Sequence, residues 1–222
     1  MIYTMCGQKG GSGRSTIAEN LTVWLMRQGH DVLLVDADDQ GTVADFTIWR
    51  EATKDDIGYT MVKLDGGNVR KQVEALKPKY DHVVIDTGGR DTTSQRAALF
   101  VADVALIPIR PRSHDVWTLT KLIEMITEIQ AARPLPLVVH TFLNCADITS
   151  QENREAAEAL AAMPELGFLP HAIKNRKAYP VSGAKGLTVF EVEQPDLKAV
   201  AEIDTLFNAI THEQAIPAAP AQ

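Results

Sequence analysis

Short apolar runs alternate along this chain with longer stretches whose apolar residues recur every three or four positions. Ile2 to Cys6 predicts a first strand, and the helix after it carries Ile17, Leu21, Trp24 and Leu25 on one face. The unbroken run Val32-Leu33-Leu34-Val35 predicts a strand covered on both sides, ending on Asp36. Asn68 to Leu76 reads as a helix closed by Pro78. Val83-Val84-Ile85 is another buried run, ending on Asp86 and followed by Gly88-Gly89. Val104 to Ile109 and Leu135 to Leu143 predict a fourth and a fifth strand. Asp115 to Ala132 has the strongest helical period: Leu119, Leu122, Ile123, Ile126 and Ile129 share one stripe, with Ser113 or Asp115 placed to cap its start. Gln151 to Ala162 and Pro195 to Thr211 predict two more helices, the second with Leu197, Val200, Ile203, Leu206, Phe207 and Ile210 as its core stripe.

Strands alternating with helices imply right-handed crossovers and an α/β fold, a mostly parallel central sheet with helices on both faces. Neither an internal repeat nor a linker divides residues 1–212, which are expected to form one domain. Residues 213–222, Ala/Pro-rich from Ile216 on, are expected to be a disordered tail. Because the first strand begins at residue 2, no sequence-specific DNA-binding domain is expected ahead of it. In such sheets ligands bind outside the carboxyl ends of the strands.

The 222 residues, 45% apolar and 23% charged, suit an ordinary globular domain that needs no disulfide or metal staple. No apolar run approaches the ~20 residues of a membrane span. Cys6 and Cys145 are far apart in apolar contexts, which fits a reducing compartment and core positions for both. The six histidines show no metal-ligand spacing, and Trp24, Trp49 and Trp117 are expected in the core or on a dimer face. With 22 Lys and Arg against 29 Asp and Glu, the net charge is 22 − 29 = −7, so any nucleic-acid contact must come from a local basic patch.

Chemistry concentrates after the first strand. Gly10, Gly11 and Gly13 allow backbone N–H groups to turn inward around a phosphate, and the helix opening at Arg14-Ser15-Thr16 adds its dipole. The hydroxyl of Ser15, after a cationic position, suits a Mg²⁺ ligand. Against G-x-x-x-x-G-K-S/T, Gln8 holds the first glycine position and Arg14 the lysine position. On this loop alone, a glycine-rich turn without a ligand remains an equal reading.

The segment Lys9-Gly10-Gly11-Ser12-Gly13-Arg14-Ser15-Thr16 resembles the deviant Walker A box, K-G-G-x-G-K-S/T-T, of the ParA/MinD family of P-loop ATPases, and most of all that of ParA-type partition ATPases. Asp36-Ala37-Asp38-Asp39-Gln40-Gly41 resembles the family's switch I, D-x-D-P-Q-G. Pro108-Ile109-Arg110-Pro111 resembles its P-x-x-P segment, and Asp86 a Walker B aspartate. The matches run in order from residue 1 to about residue 190. The resemblance implies a P-loop NTPase fold, ATP and Mg²⁺ as cofactors, and a homodimer formed on ATP. Lys9 matches the lysine that reaches the partner's phosphates; Ser12 and Thr16 complete the nucleotide loop; Asn144 and Pro170 match nucleotide-contacting positions. Ser15, Asp36 and Asp86 match the magnesium site, the two carboxylates acting through water, and Asp38 matches the group that positions attacking water. Lys9, Arg14 and Asp38 are therefore the catalytic candidates. Capping of the next helix is the competing reading of Asp36 and Asp38.

Three departures matter. Arginine is bulkier than lysine and planar, so Arg14 implies retained binding with slow or absent hydrolysis. Asp39 in place of proline implies a looser switch I turn. Gly88-Gly89 in place of proline-glycine implies a freely moving second switch loop. Lys174, Arg176, Lys177 and Lys185 form the densest basic cluster, where the resemblance implies salt-dependent, non-specific DNA binding, with an ordinary solvated face or a nucleotide-side loop an equal reading for any single one of them. A ParB-like or cargo-adaptor protein that stimulates hydrolysis, and a cytoplasmic, nucleoid-associated location, are implied with it. The acidic side of the last helix, Asp196, Glu202 and Asp204, disfavours a membrane role. The expected function is an ATP-dependent switch for partitioning DNA or cargo. Two alternatives stand: a nucleotide-gated binding module that hardly turns over, and a small-molecule ligase resembling dethiobiotin synthetase, against which Lys9 argues.

Overall fold

Six parallel strands make one sheet in the order β3-β2-β4-β1-β5-β6. They are β1 (Ile2–Met5), β2 (Val32–Ala37), β3 (Thr60–Lys63), β4 (His82–Thr87), β5 (Val104–Ile109) and β6 (Val138–Leu143). This computed structural model describes residues 1–89, 92–112 and 119–212. Its α-helices among those residues are α1 (Arg14–Arg27), α2 (Thr42–Thr53), α3 (Asn68–Leu76), α4 (Thr93–Val101), α5 (Leu119–Ala132), α6 (Gln151–Ala161), α7 (Ala178–Gly183) and α8 (Leu197–His212).

The continuous apolar runs are buried because each strand alternates between two cores. Leu33, Val35, Val83 and Ile85 face a layer built from α3, α4, α5 and α6, with Val73, Leu99, Leu122 and Leu160 at its centre. Tyr3, Met5, Leu34 and Val84 face the other layer, where α1 and α8 contribute Leu21, Trp24, Ile203 and Phe207. Helices thus cover both faces, as the alternation requires.

The pattern missed three elements. β3 is an edge strand whose four residues are exposed or half-buried, so it lacks the unbroken apolar signal of its neighbours. Helix α2 buries Val43 and Phe46 but exposes Ile48 and Trp49, which blurs its period. Helix α4 is capped by Thr92, whose hydroxyl accepts from the Gln95 N–H at 3.1 Å.

Several expectations need correction. Trp24 is a core residue, whereas Trp49 is 59% exposed, which leaves it only the dimer-face half of the expectation. Leu197 is 74% exposed because it opens α8 instead of facing the core. The last strand starts at Val138, after an exposed Leu135. Cys6 is buried, whereas Cys145 is half-buried with φ +52, at the rim of the glycine loop. The expected caps Ser113 and Asp115, Trp117 and the 213–222 tail lie outside the described residues.

The strand order positions the site. From β1 the chain passes out to β2, while β4 returns across β1 to β5, so a crevice opens at the carboxyl end of β1. β2 and β4 are paired in register with Asp36 beside Asp86, which brings two carboxylates to the edge of that crevice.

Candidate nucleotide-binding site

The loop from Gly7 to Gly13 joins β1 to α1. Gly11 and Gly13 have φ of +76 and +88, a left-handed conformation open to glycine at little cost. A side chain at Gly13 would also overlap the Asn144 amide, whose Nδ2 donates to the Ser12 carbonyl at 2.6 Å. The Asn144 backbone N–H donates to Ile109 O at 2.8 Å, so this residue fastens the loop to the end of β5. No side chain caps the start of α1, and its first-turn N–H groups face the loop as an anion site would.

Arg14 is buried beneath the loop. Its Nε donates to Thr87 O at 3.0 Å and its Nη1 to Lys9 O at 2.7 Å. The guanidinium therefore ties the loop to the end of β4. Gly89 packs directly on this joint: a Cβ there would come within 2.7 Å of Arg14 Nη2 and 2.9 Å of Gly10 N. A Cβ at Gly88 would lie 3.2 Å from Asp38 Oδ1. The two glycines thus make room for close packing between the switch and the loop, a role that the expectation of free movement did not include.

Asp36 accepts from the Asp38 N–H through Oδ1 and from the Ala44 N–H through Oδ2, both at 3.1 Å. It therefore ties the first turn of α2 to the strand end, as the capping reading expected. Burial raises its pKa, while the N–H groups of Asp38 and Ala44 and the charge of Lys63 oppose the rise. Asp38 is half-buried and accepts from Gln40 N–H at 3.1 Å.

Asp86 is fully buried, and neither carboxylate oxygen has a hydrogen-bond partner among the described residues. Burial pushes its pKa up to about 7; the Ser15 hydroxyl and the Arg14 charge oppose this, while Asp36 and Asp38 add to it. A buried, partnerless carboxylate is costly unless a cation or its waters satisfy it. Among the described residues no group of three or more His, Cys, Asp or Glu forms a metal cage. Magnesium, which keeps several of its own waters, needs only a hydroxyl and outer carboxylates of this kind.

A family model for the CobQ/CobB/MinD/ParA nucleotide binding domain, CbiA, matches residues 3–189. The chain belongs to this family. It is 27% identical over 205 residues to the maintenance of carboxysome distribution protein A of Halothiobacillus neapolitanus, spanning 91% of this chain and 92% of that protein. The structure of apo McdA from Cyanothece superposes with a TM-score of 0.78 at 18% identity, over 94% of this chain and 98% of that one. Cobyrinic acid a,c-diamide synthase from Mycobacterium smegmatis, solved with an ATP analogue and magnesium, gives 0.72 at 18% identity, over 96% and 95%. These two structures establish the shared fold alone.

Within this CobQ/CobB/MinD/ParA domain, the chain brings Lys9, Gly10, Gly11, Ser12, Gly13, Arg14, Ser15 and Thr16 together with Asp36, Asp38, Asp86 and Asn144 at one end of the sheet. Pro170 is exposed on a segment that runs parallel to β6, with Leu169 N–H donating to Thr141 O at 2.8 Å. The basic cluster lies apart from the loop and divides in two. Arg176 donates to Glu202 at 2.6 and 3.0 Å and lies 3.7 Å from Asp196, so its charge is neutralised internally. Lys177 and Lys185, both exposed, line a groove of about 800 Å³ with Lys54 and the exposed Val181.

Sequence reasoning missed Lys63, Glu19 and the packing role of Gly89. Lys63 pairs in register with Asp36, but it lies on the strand that the pattern did not reveal. Glu19, one turn after Ser15, is buried, and burial together with the Asp86 charge holds its pKa well above the usual range. Its i+4 spacing from Ser15 was the available signal.

Proposed function

We propose that this chain is an ATP-dependent positioning switch of the ParA kind. The buried, partnerless Asp86 beside Ser15, under a lysine-led glycine loop, carries this reading. The loop N–H groups and the start of α1 bind the phosphates; Ser15, Asp86 and Asp36 hold Mg²⁺ directly or through its waters; Asp38 orients the attacking water. Mg²⁺ neutralises phosphate charge, which together with positioning is most of what phosphoryl transfer needs. Lys9 reaches the phosphates bound by a second copy, so ATP closes a homodimer. The dimer holds DNA non-specifically through Lys174, Lys177 and Lys185, with Arg176 bracing them, and an adaptor protein on the cargo releases it by stimulating slow hydrolysis. The match to a carboxysome-distribution protein along nine-tenths of both chains supports a partitioned cargo, and a cytoplasmic, nucleoid-associated location goes with this reading. No helix among the described residues is long and apolar enough to cross a membrane.

The engagement of Arg14 favours a second reading, a nucleotide-gated module with almost no turnover. Its guanidinium is committed to two backbone carbonyls, and directing it to phosphate would strand both. The ligase alternative predicts ATP consumption with a small carboxylate or amine substrate and no retention of DNA.

Light scattering after size exclusion, with no nucleotide, ADP–Mg²⁺ or ATP–Mg²⁺, tests the switch. A doubling of mass with ATP–Mg²⁺ alone is expected. A mass indifferent to all three would overturn it.

A further inference from the structure

Besides Lys9 and Arg14, a third cation stands at the loop. Arg110 follows the last residue of β5, on the side of β1 opposite β4, so it flanks the loop from the face that Arg14 leaves unattended. Its guanidinium carbon and both terminal nitrogens lie 3.9 Å from the point where a Gly11 side chain would begin. Gly11 has none, and its left-handed φ of +76 turns that part of the loop toward the arginine. The Arg110 hydrogen-bond partner among the described residues is Cys145 Sγ, at 3.9 Å, a weak acceptor at long range. Its Nε is buried with no hydrogen-bond partner among the described residues. Cys145 is held there by a left-handed backbone, φ +52, immediately after the Asn144 that fastens the loop.

A half-buried guanidinium with no carboxylate opposite it among the described residues, set against the amides of an anion-binding loop, is charge waiting for an anion. We propose that Arg110 is a phosphate-binding residue of this site, and that it supplies the cation that Arg14, committed to Lys9 O and Thr87 O, does not. A planar fork beside a side-chain-free glycine matches two oxygens of one phosphate group. The assignment rests on the ATP reading above and adds to it a residue outside the Lys9–Thr16 loop.

Titrating the full-length chain with N-methylanthraniloyl-ATP, and competing with ATP, AMP and adenosine, tests it. Arg110→Ala is expected to weaken ATP ~10- to 100-fold while changing adenosine little, and Arg110→Lys to recover part of the loss. A purely structural role for Arg110 would weaken all three competitors alike, and that outcome overturns the proposal. So does unchanged ATP affinity in Arg110→Ala when the wild-type chain binds ATP. A wild-type chain that binds none of them overturns the ATP reading itself. Arg110→Gln, which keeps the length and polarity, replaces the alanine variant if that one unfolds.

Discussion

Helix α2, which follows Asp36 and Asp38, is pinned to the C-terminal part of the chain by one buried ion pair. Arg50 donates to both Glu191 oxygens at 2.7 and 2.8 Å, with side-chain exposures of 1% and 4%. Arg50 also donates to Ile57 O and Gly186 O, and Glu191 accepts from Thr188, so the pair is saturated. Removing one partner of such a pair costs about 3–5 kcal/mol because the other charge stays buried. Lys54, 3.6 Å from Glu191 and partly exposed, remains after Arg50→Met and brings the expected loss to about 3 kcal/mol. At ~2–4 °C per kcal/mol for a chain of this length, Tm falls by roughly 6–12 °C. The double variant Arg50→Met/Glu191→Leu leaves neither charge and recovers most of that loss. Burial alone would raise the Glu191 pKa, but Arg50, Thr188 and Lys54 hold it below the ordinary value. Its stabilising contribution is therefore full at neutral pH and disappears as pH falls below the ordinary glutamate range, about 4.3. Urea unfolding of Arg50→Met, Glu191→Leu and the double variant at pH 7 and at pH 3.5 measures all of this. A single variant losing under about 1 kcal/mol, or a double variant losing the sum of the singles, refutes the reasoning.

Four further outcomes follow from the same geometry. Asp86 has a raised pKa, so the nucleotide-free chain should lose stability as pH rises from about 4 to about 7 and level off above. Asp86→Asn should flatten that slope in a thermal melt, raise apo stability at pH 8, and abolish further stabilisation by ATP–Mg²⁺. Arg14→Lys frees Thr87 O and Lys9 O but fits the loop better; single-turnover phosphate release should rise at least ~10-fold, and an unchanged rate would remove Arg14 as the brake. Gly13→Ala must displace the Asn144 amide and adopt a left-handed backbone, costing ~1–2 kcal/mol and most of the nucleotide affinity, read by calorimetry. Neutralising Lys174, Lys177 and Lys185 together should lower the salt slope of ATP-dependent DNA retention by up to about three, whereas an unaltered slope excludes this patch.

Much of the site was legible because its residues are close in sequence and their chemistry is local. A glycine loop between an apolar strand and a helix has few other uses, and a carboxylate ending a buried strand must lie at the sheet edge, which places Asp36 and Asp86. Arg14 was recognised as a departure, but its partners were not: Thr87 is 73 residues away, and only the pairing of β1 with β4 brings it near. The basic cluster read from charge density alone contained one residue, Arg176, whose charge is cancelled by Glu202 on α8. Edge strand β3 and helix α2 escaped notice because half-exposed elements do not repeat cleanly.

By itself, the order of apolar runs, glycines and acids determined the parallel sheet and the loop at its carboxyl end, since burial on both faces and left-handed turns each demand particular residue types. Which groups remain partnered is a property of distances across the sheet. Only the tertiary structure decided that Arg14 is bonded to carbonyls, that Arg110 Nε and the Asp86 carboxyl have no hydrogen-bond partner among the described residues, and that a buried Arg50–Glu191 pair locks α2 in place.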